Sequence, residues 1–441
     1  MKNRFFKYVS QNIFAMIGLS LYILADTYFI SKAVGANGIT ALNMALPVYG
    51  VIFALGQMVG VGSAIRYSIV KEQYRNSNKD GSNECDKYFS GALFWGLVIG
   101  VIFAVLGLVF PDKIVEIMGG DETIVAIGVP YFRIFMSFSP FFIFNYTCNA
   151  FVRNDGNPSV SMAATLISSL FNIVFDYILM FPLGMGMPGA ALATALSPVV
   201  GVMICMIHFL SKKNTVKFKW FKTSLTRLFH CCQVGMSAFV GEMSGAVIVM
   251  VFNFIILRLT GNIGVAAYGV VANTALVAVA VFNGVALGSQ PLISESYGKH
   301  NIKDIKLIEK LGVATALGLA VIIVIMIWGF TDTIVGVFNS QGSDRLLSLA
   351  RVGLRIYFIG FLFAGINIFC SSALSAIASV KWAFVLSILK GFVVVNVCAA
   401  ILASIFGMNG VWVAFPLSEF ILLIISGFAM KKSIGALESE R

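Results

Sequence analysis

Apolar residues run along this chain in long blocks separated by short polar interruptions. Twelve blocks are long enough to cross a bilayer: 10–31, 40–70, 88–110, 124–152, 159–182, 188–211, 232–259, 264–297, 308–330, 345–374, 380–404 and 409–430. About 20 mainly apolar residues suffice for a helical span. The interruptions are polar or rich in Gly and Pro, as in Arg153-Asn154-Asp155-Gly156-Asn157-Pro158. Membrane strands would alternate apolar and polar residues over about 10 positions, and no block does so. The pattern predicts an all-α polytopic membrane protein with 12 transmembrane helices.

The pattern also repeats. Gly35, Gly38 and Ala41 match Gly261, Gly264 and Ala267, and Gly62-Ser63 match Gly288-Ser289, all at an offset of 226. Arg133 and Asn145 match Arg355 and Asn367 at 222, and Gly186-Met187, Gly189, Ala193 and Ser197 match Gly407-Met408, Gly410, Ala414 and Ser418 at 221. The repeat predicts two six-helix lobes, 1–211 and 232–441, joined by a linker at 212–231. Six is even, so both lobes enter the membrane from the same side, related by a pseudo-two-fold axis along the membrane normal. Transporters built this way hold substrate between the lobes and alternate access by rocking. The glycines beside spans 2 and 8 suit close helix packing.

Composition and charge narrow the picture. Of 441 residues, 59% are hydrophobic and 12% charged, too few charges to solvate a soluble protein of this length. Soluble enzymes, disordered chains and disulfide scaffolds are excluded. With the N-terminus placed inside, 22 of the 31 basic residues fall on that side and four in the opposite loops. This bias predicts that both termini are cytoplasmic. The longest basic loop, Lys212 to Arg227, reads as a topological anchor. The net charge of +11 does not point to nucleic acid, because the cations are not clustered with stacking aromatics. The basic start (Lys2, Arg4, Lys7) leads into a run longer than a signal peptide's apolar core, so it is the first span. The seven cysteines mostly lie in apolar runs and read as small buried hydrophobes.

Several chemistries have no motif. There is no GxxxxGK[ST], no HExxH and no GxSxG, and His208, His230 and His300 are too scattered to ligate a metal. The GxGxxG match at Gly184–Gly189 follows a helix rather than a strand and reads as a tight turn. Without an ATP motor, energy must come from an ion gradient or the solute's own gradient, and no cofactor is expected.

Four acids lie well inside spans: Asp26, Asp176, Glu242 and Glu419. A charge at the bilayer centre costs at least roughly 2.5–3.5 kcal/mol, which makes each a functional candidate. At 1.5 Å per residue, Asp26 and Asp176 sit about 24 and 26 Å from the cytoplasmic edge. Asn172 and Tyr22 lie one turn from Asp176 and Asp26, on the same helix faces. Thr194 reaches a similar level. The cluster Tyr22, Asp26, Asn172, Asp176 and Thr194 supports two functional readings. Two carboxylates buried together favour proton uptake, giving a proton carrier. Alternatively, Asp176, Asn172 and Thr194 offer oxygens to a hard cation such as Na⁺. A hydrogen-bonded packing network is the purely structural reading. In the second lobe, Phe252 occupies the repeat position of Asp26. Lys390 and Glu419 both lie about 15 Å deep, which predicts a structural ion pair. Glu242 is expected either to attract a cationic solute or to pair with Lys390.

These residues carry a family resemblance. Ala25-Asp26-Thr27-Tyr28-Phe29-Ile30 with Gly35, Gly60-Val61-Gly62-Ser63, Asn172-Ile173-Val174-Phe175-Asp176, Gly189-Ala190-Ala191-Leu192-Ala193-Thr194, Ser289-Gln290-Pro291 with Tyr297-Gly298, and Gly410-Val411-Trp412 with Ser418-Glu419 resemble the MATE (multidrug and toxic compound extrusion) transporters. The likeness covers essentially the whole chain and is greatest to the bacterial branch with a first-lobe aspartate site. It implies a plasma-membrane antiporter, expected to act as a monomer, that exports amphipathic, often cationic, organic compounds against H⁺ or Na⁺. It implies that Asp26 and Asp176 couple the ion, supported by Asn172 and Thr194, and that Tyr22, Tyr131 and Asn149 line the substrate pocket. Glu242 falls where another branch has a second-lobe coupling glutamate, but span 10 reads Ser371-Ser372-Ala373 where an acidic partner would be. The family often has a proline early in span 1. Here that stretch reads Val9-Ser10-Gln11-Asn12, leaving Gly18 as the bending point. A lipid-linked precursor flippase of related two-lobe fold is the alternative, and would favour a basic cavity. An intramembrane enzyme would need a nucleophile–base or metal constellation, and none is found.

Overall fold

A computed structural model describes residues 1–77, 81–221, 223–338 and 343–439. Lys222 of the basic loop lies outside the described residues. All regular structure among them is helical. The first half runs α1 (Lys2–Ala33), α2 (Ala36–Asn76), α3 (Ser82–Val109), the short α4 (Pro111–Ile117), α5 (Glu122–Ser137), α6 (Ser139–Asn154), α7 (Pro158–Met180) and α8 (Met187–Phe209). The second half runs α9 (Leu225–Gly298), α10 (Ile302–Gly329), the short α11 (Thr331–Phe338), α12 (Asp344–Tyr357), a 3₁₀ turn (Phe358–Gly360), α13 (Phe361–Ala376), α14 (Val380–Ile388), a π turn (Leu389–Val393) and α15 (Val394–Ser439).

Nine described helical stretches are long and apolar enough to cross a bilayer, and α5 with α6, bent by 46°, makes a tenth. That bend falls just before Pro140, whose ring and missing N–H interrupt the helical ladder. Two stretches are too long for one crossing. The 74 residues of α9 would extend about 110 Å, against a hydrocarbon core of about 30 Å. α9 breaks at Gly261 (φ 67°, ψ −157°), and the Val380–Ser439 stretch breaks at Gly407 (φ 57°, ψ −135°). Divided there, they complete the twelve spans that hydropathy predicts.

The breaks carry the sequence repeat into backbone geometry. Gly35, the counterpart of Gly261, has φ 82° and ψ −157°, and Gly186, the counterpart of Gly407, has φ 57° and ψ −133°. A Cβ opposes positive φ, which is why glycine stands at all four positions. Gly184 also has positive φ, so its GxGxxG match forms a tight turn. α1 runs unbroken through Gly18, whose Cβ position is filled by Leu166 Cδ2.

The compact units do not divide at the linker. One comprises Phe14–Glu242, the other Met1–Ile13 with Met243–Arg441. The divisions fall inside α1 and α9, and glycines explain them. A Cβ on Gly62 of α2 would stand 2.1 Å from the Cys231 carbonyl oxygen, and one on Gly235 of α9 2.0 Å from that of Met58. The start of α9 therefore lies backbone to backbone against α2. In the other unit a Cβ on Gly288 would stand 2.7 Å from Val9 Cα, and one on Gly284 2.5 Å from Ile13 Cα. The start of α1 thus packs against the second half of α9, and Arg4 holds Glu295 through two bonds of 3.2 and 2.7 Å. Gly62 and Gly288 are repeat counterparts performing the same packing.

Each unit has its own apolar core. In the first, Ile30, Tyr131, Phe132, Phe135 and Ile143 are fully buried together. In the second, Phe252, Phe282, Phe358, Phe361 and Trp412 form one core, and Phe5, Leu292, Phe369 and Leu422 another. Cys85, Cys148, Cys205, Cys231 and Cys370 are buried as thiols, while Cys232 and Cys398 are partly buried.

Candidate functional site

α1, α7 and α8 of the Phe14–Glu242 unit bring the first-lobe polar residues together. Asp26, Asn172, Asp176 and Thr194 are all buried, Asn172 and Asp176 completely. Asn172 and Asp176 share one face of α7, and α8 packs along it with Thr194. Asn172 can satisfy its amide in two ways. With its nitrogen towards α8 it donates to Thr194 Oγ1 at 3.3 Å. Turned over, the nitrogen donates to Asp176 Oδ2 at 3.1 Å and the oxygen accepts from the Thr194 backbone N–H at 3.3 Å.

The carboxylates remain under-satisfied. Asp26 Oδ1 and Asp176 Oδ1 are buried without a hydrogen-bond partner, and their charges lie within electrostatic reach of each other. A buried unpaired polar atom costs about 1–3 kcal/mol, more when charged. Two such oxygens within electrostatic reach of each other are where a bound proton or cation would supply a missing partner.

Aromatic hydroxyls approach the same point. Tyr22 and Tyr131 lie within electrostatic reach of both aspartates. Tyr131 is fully buried, and its hydroxyl is 2.8 Å from that of Tyr49 on α2. Tyr49, whose ring also packs on Phe135 at 3.6 Å between centroids, escapes sequence reasoning. Its only signal is a hydroxyl amid an apolar run.

Other candidates lie elsewhere. Asn149 spends its polar atoms inside the unit: Nδ2 donates to Asn145 O and Oδ1 at 2.9 Å, and Oδ1 accepts from Ser161 Oγ at 3.1 Å. Glu242 is exposed and accepts from Gln57 Nε2 at 2.6 Å. In the second unit, Phe252 is buried and stacks on Tyr268, so an aromatic core fills the place that Asp26 holds in the first. The Lys390–Glu419 ion pair expected from depth is not formed, as no contact within 4.0 Å joins them among the described residues. Glu419 is held instead by Asn367, whose Nδ2 donates to Oε2 at 2.7 Å and to the Glu419 carbonyl at 2.9 Å. Ser426 Oγ completes that group by donating to Asn367 Oδ1 at 2.8 Å.

Another buried acid, Asp155, lies outside the spans and anchors the linker. Oδ1 accepts from Tyr67, Lys71 and Thr215 side chains, and Oδ2 from His208 Nε2 at 2.9 Å and the Thr215 N–H at 2.9 Å. Asn157 Nδ2 stands 3.2 Å from His208 Nδ1, so the ring is held at both nitrogens. Burial works against the Asp155 charge, but the His208 hydrogen bond, the Lys71 ammonium and Thr215 outweigh it, and the carboxyl is held well below its usual range. Beyond Thr215 the linker is pinned at alternate residues. The Lys217 N–H donates to Asp86 Oδ1 at 2.8 Å and the Lys219 N–H to Ser90 Oγ at 2.9 Å.

Comparison with known proteins agrees with this architecture. The MatE family model matches residues 12–178 and 238–402, one stretch per repeat. The multidrug export protein MepA of Staphylococcus aureus is 26% identical over 416 residues, covering 92% of this chain and 88% of its own. MepA of Staphylococcus saprophyticus is 24% identical over 406 residues, covering 91% and 87%. Among solved structures, an outward-facing multidrug-resistance MATE transporter of the MOP superfamily superposes with a TM-score of 0.92 at 22% identity, covering 99% of this chain and 96% of that one. The two-lobe, twelve-helix fold is therefore shared, the relatives are exporters rather than enzymes, and the chain belongs to the MatE family of multidrug and toxic compound extrusion transporters.

Proposed function

We propose that this transporter exports amphipathic, cationic organic compounds across the plasma membrane in exchange for H⁺ or Na⁺, coupled at Asp26 and Asp176. The observation that carries the reading is the pair of buried, unpartnered carboxylate oxygens on α1 and α7. The excess of Lys and Arg on one side supports cytoplasmic termini. The protein acts as a monomer in this scheme.

Asn172 links loading to helix position. When Asp176 is ionised, the amide nitrogen faces the carboxylate and the oxygen faces the Thr194 N–H. When Asp176 takes up a proton, or Na⁺ settles between them, the amide oxygen turns to the new positive partner and the nitrogen to Thr194 Oγ1. Ion entry thus changes what α7 and α8 offer each other, while neutralising Asp26 changes what holds α1. Substrate binds by its cation and apolar surface, with Tyr22, Tyr131, Asn149 and Glu242 as pocket residues. Rocking of the lobes carries it outward, and ion entry expels it. The acidic cluster argues against a lipid-linked pyrophosphate as cargo, which would call for cations.

The test is uphill efflux of a cationic dye from membrane vesicles under an imposed pH or Na⁺ gradient. Asp26→Asn and Asp176→Asn should each abolish gradient-driven export while the purified variants melt as the parent does. Retention of uphill export by either variant would remove that aspartate from coupling. The gradient that drives the parent identifies the ion.

A further inference from the structure

A cavity of about 650 Å³ lies wholly within the Phe14–Glu242 unit, and neither Asp26 nor Asp176 lines it. Its walls are α3, α6, α8, the start of α9 and, of the linker, Asn214, residues 216–221, Thr223 and Ser224. Phe94, Phe144 and Val202 give it apolar lining. At one side Leu97 and Met206, 44% and 43% exposed, flank it on the membrane-spanning parts of α3 and α8. At the other end stand Lys87, Lys217, Lys219 and Arg227.

The charge at this end is positive after its internal pairs are counted. Glu84 pairs with Lys87 and, at 3.5 Å, with Arg227, and Asp86 pairs with Lys219 at 2.8 Å. Four cations face two carboxylates, and among the described residues no carboxylate pairs with the Lys217 ammonium. Trp220 stands beside them 85% exposed, with the Phe218 ring 5.4 Å away. Exposed Trp with Lys and Arg marks the level of lipid headgroups.

We propose that this cavity binds one anionic phospholipid, its phosphate held by Lys217, Lys219 and Arg227 and one acyl chain laid between α3 and α8. The order of chemistries is that of a lipid: cations and Trp at the interface, then an apolar channel whose side entrance lies among lipid-facing residues. Basic pockets between spans are a general mode of headgroup recognition. A water-soluble ligand has no reason to enter past Leu97 and Met206. Because the linker forms one wall, the bound lipid fastens the segment that joins the lobes.

Native mass spectrometry of the full-length protein, titrated with phosphatidylglycerol or phosphatidylcholine, tests this. One phosphatidylglycerol should bind at least tenfold more tightly than phosphatidylcholine. Each neutralised cation should weaken it about fivefold, so the K217Q/K219Q/R227Q variant should lose roughly a hundredfold. Val202→Trp, which fills the cavity and keeps every charge, should lose the lipid as well. Glycerol 3-phosphate, the headgroup chemistry without a chain, should compete poorly. Equal binding of the two lipids, or undiminished phosphatidylglycerol affinity in V202W, would overturn the proposal. So would effective competition by glycerol 3-phosphate, which would make this a site for free phosphate esters. Displacement of the lipid by a cationic dye that V202W also excludes would mark the cavity as a substrate vestibule instead.

Discussion

Replacing Asp155 by Asn separates a structural charge from a chain full of apolar contacts. In the parent, two carboxylate oxygens accept five bonds, from Tyr67, Lys71, His208 and twice from Thr215. Asparagine offers one acceptor oxygen and turns an NH₂ against the donors on the other side. Facing His208, the NH₂ no longer accepts from the ring nitrogen that the carboxylate held. Facing Lys71, it meets an ammonium with no other carboxylate in the group. Removing one partner of a buried ion pair costs about 3–5 kcal/mol. The Lys71 side chain is 30% exposed, whereas those of Asp155 and His208 are fully buried. Lys71 therefore regains water, and the expected loss falls to about 2–4 kcal/mol. For a unit of this size each kcal/mol moves the melting point by about 2–4 °C, so D155N should melt roughly 4–16 °C below the parent at pH 7. Intrinsic-fluorescence melting of the detergent-purified protein measures the shift, and limited proteolysis reads release of the linker near Thr215. His208→Gln in the same background should cost less than it does alone, because the two act through one bond. Melting within a degree of the parent, with an equally resistant linker, would refute the reasoning.

Other consequences can be checked with the same preparation. Asp155 is held well below its unfolded value near 3.9, so its contribution is complete above about pH 5 and declines as pH falls from there towards the folded value; the melting-point gap between parent and D155N should be widest above about pH 5 and narrow steadily as pH is lowered below about 4. Gly62→Ala and Gly288→Ala, whose Cβ atoms would meet backbone at 2.1 and 2.7 Å, should each cost about 1–3 kcal/mol. Gly50→Ala, where nothing lies within 4 Å, should be neutral or stabilising by about 0.5–1 kcal/mol. Asn367→Ala leaves the buried Glu419 carboxylate without its donor and should cost about 1–3 kcal/mol, much of it recovered in the double variant with Glu419→Gln; no recovery would mean that Asn367 acts elsewhere.

Span number, repeat and first-lobe acids were legible because each has a one-dimensional signature. A carboxylate in an apolar block stands out by its cost, and Gly35 and Gly261 recur because the same positive φ is needed twice. Asp155 has no such mark. Acids are ordinary in polar turns, and its burial depends on His208 and Thr215, more than 50 residues away. Lys390 and Glu419 lie within electrostatic reach of each other, as their shared depth predicts, but depth fixes only one coordinate and does not by itself bring an ammonium and a carboxylate into contact. Tyr49 stayed hidden for a related reason, since its role depends on a hydroxyl supplied by another helix.

The division of α1 between two units sets a timetable for synthesis. Residues 5–13 emerge first, yet the surfaces that receive them, around Gly284 and Gly288, follow about 270 residues later. At about 5–20 residues per second, this is a wait of roughly 15–55 s, during which the helix start lacks its native neighbour. The start of α9 has no such delay, because Met58 and Gly62 precede it. Identical packing thus arises early in one half and late in the other. A chain arrested after residue 242 would hold one finished unit and a helix end still waiting for its partner.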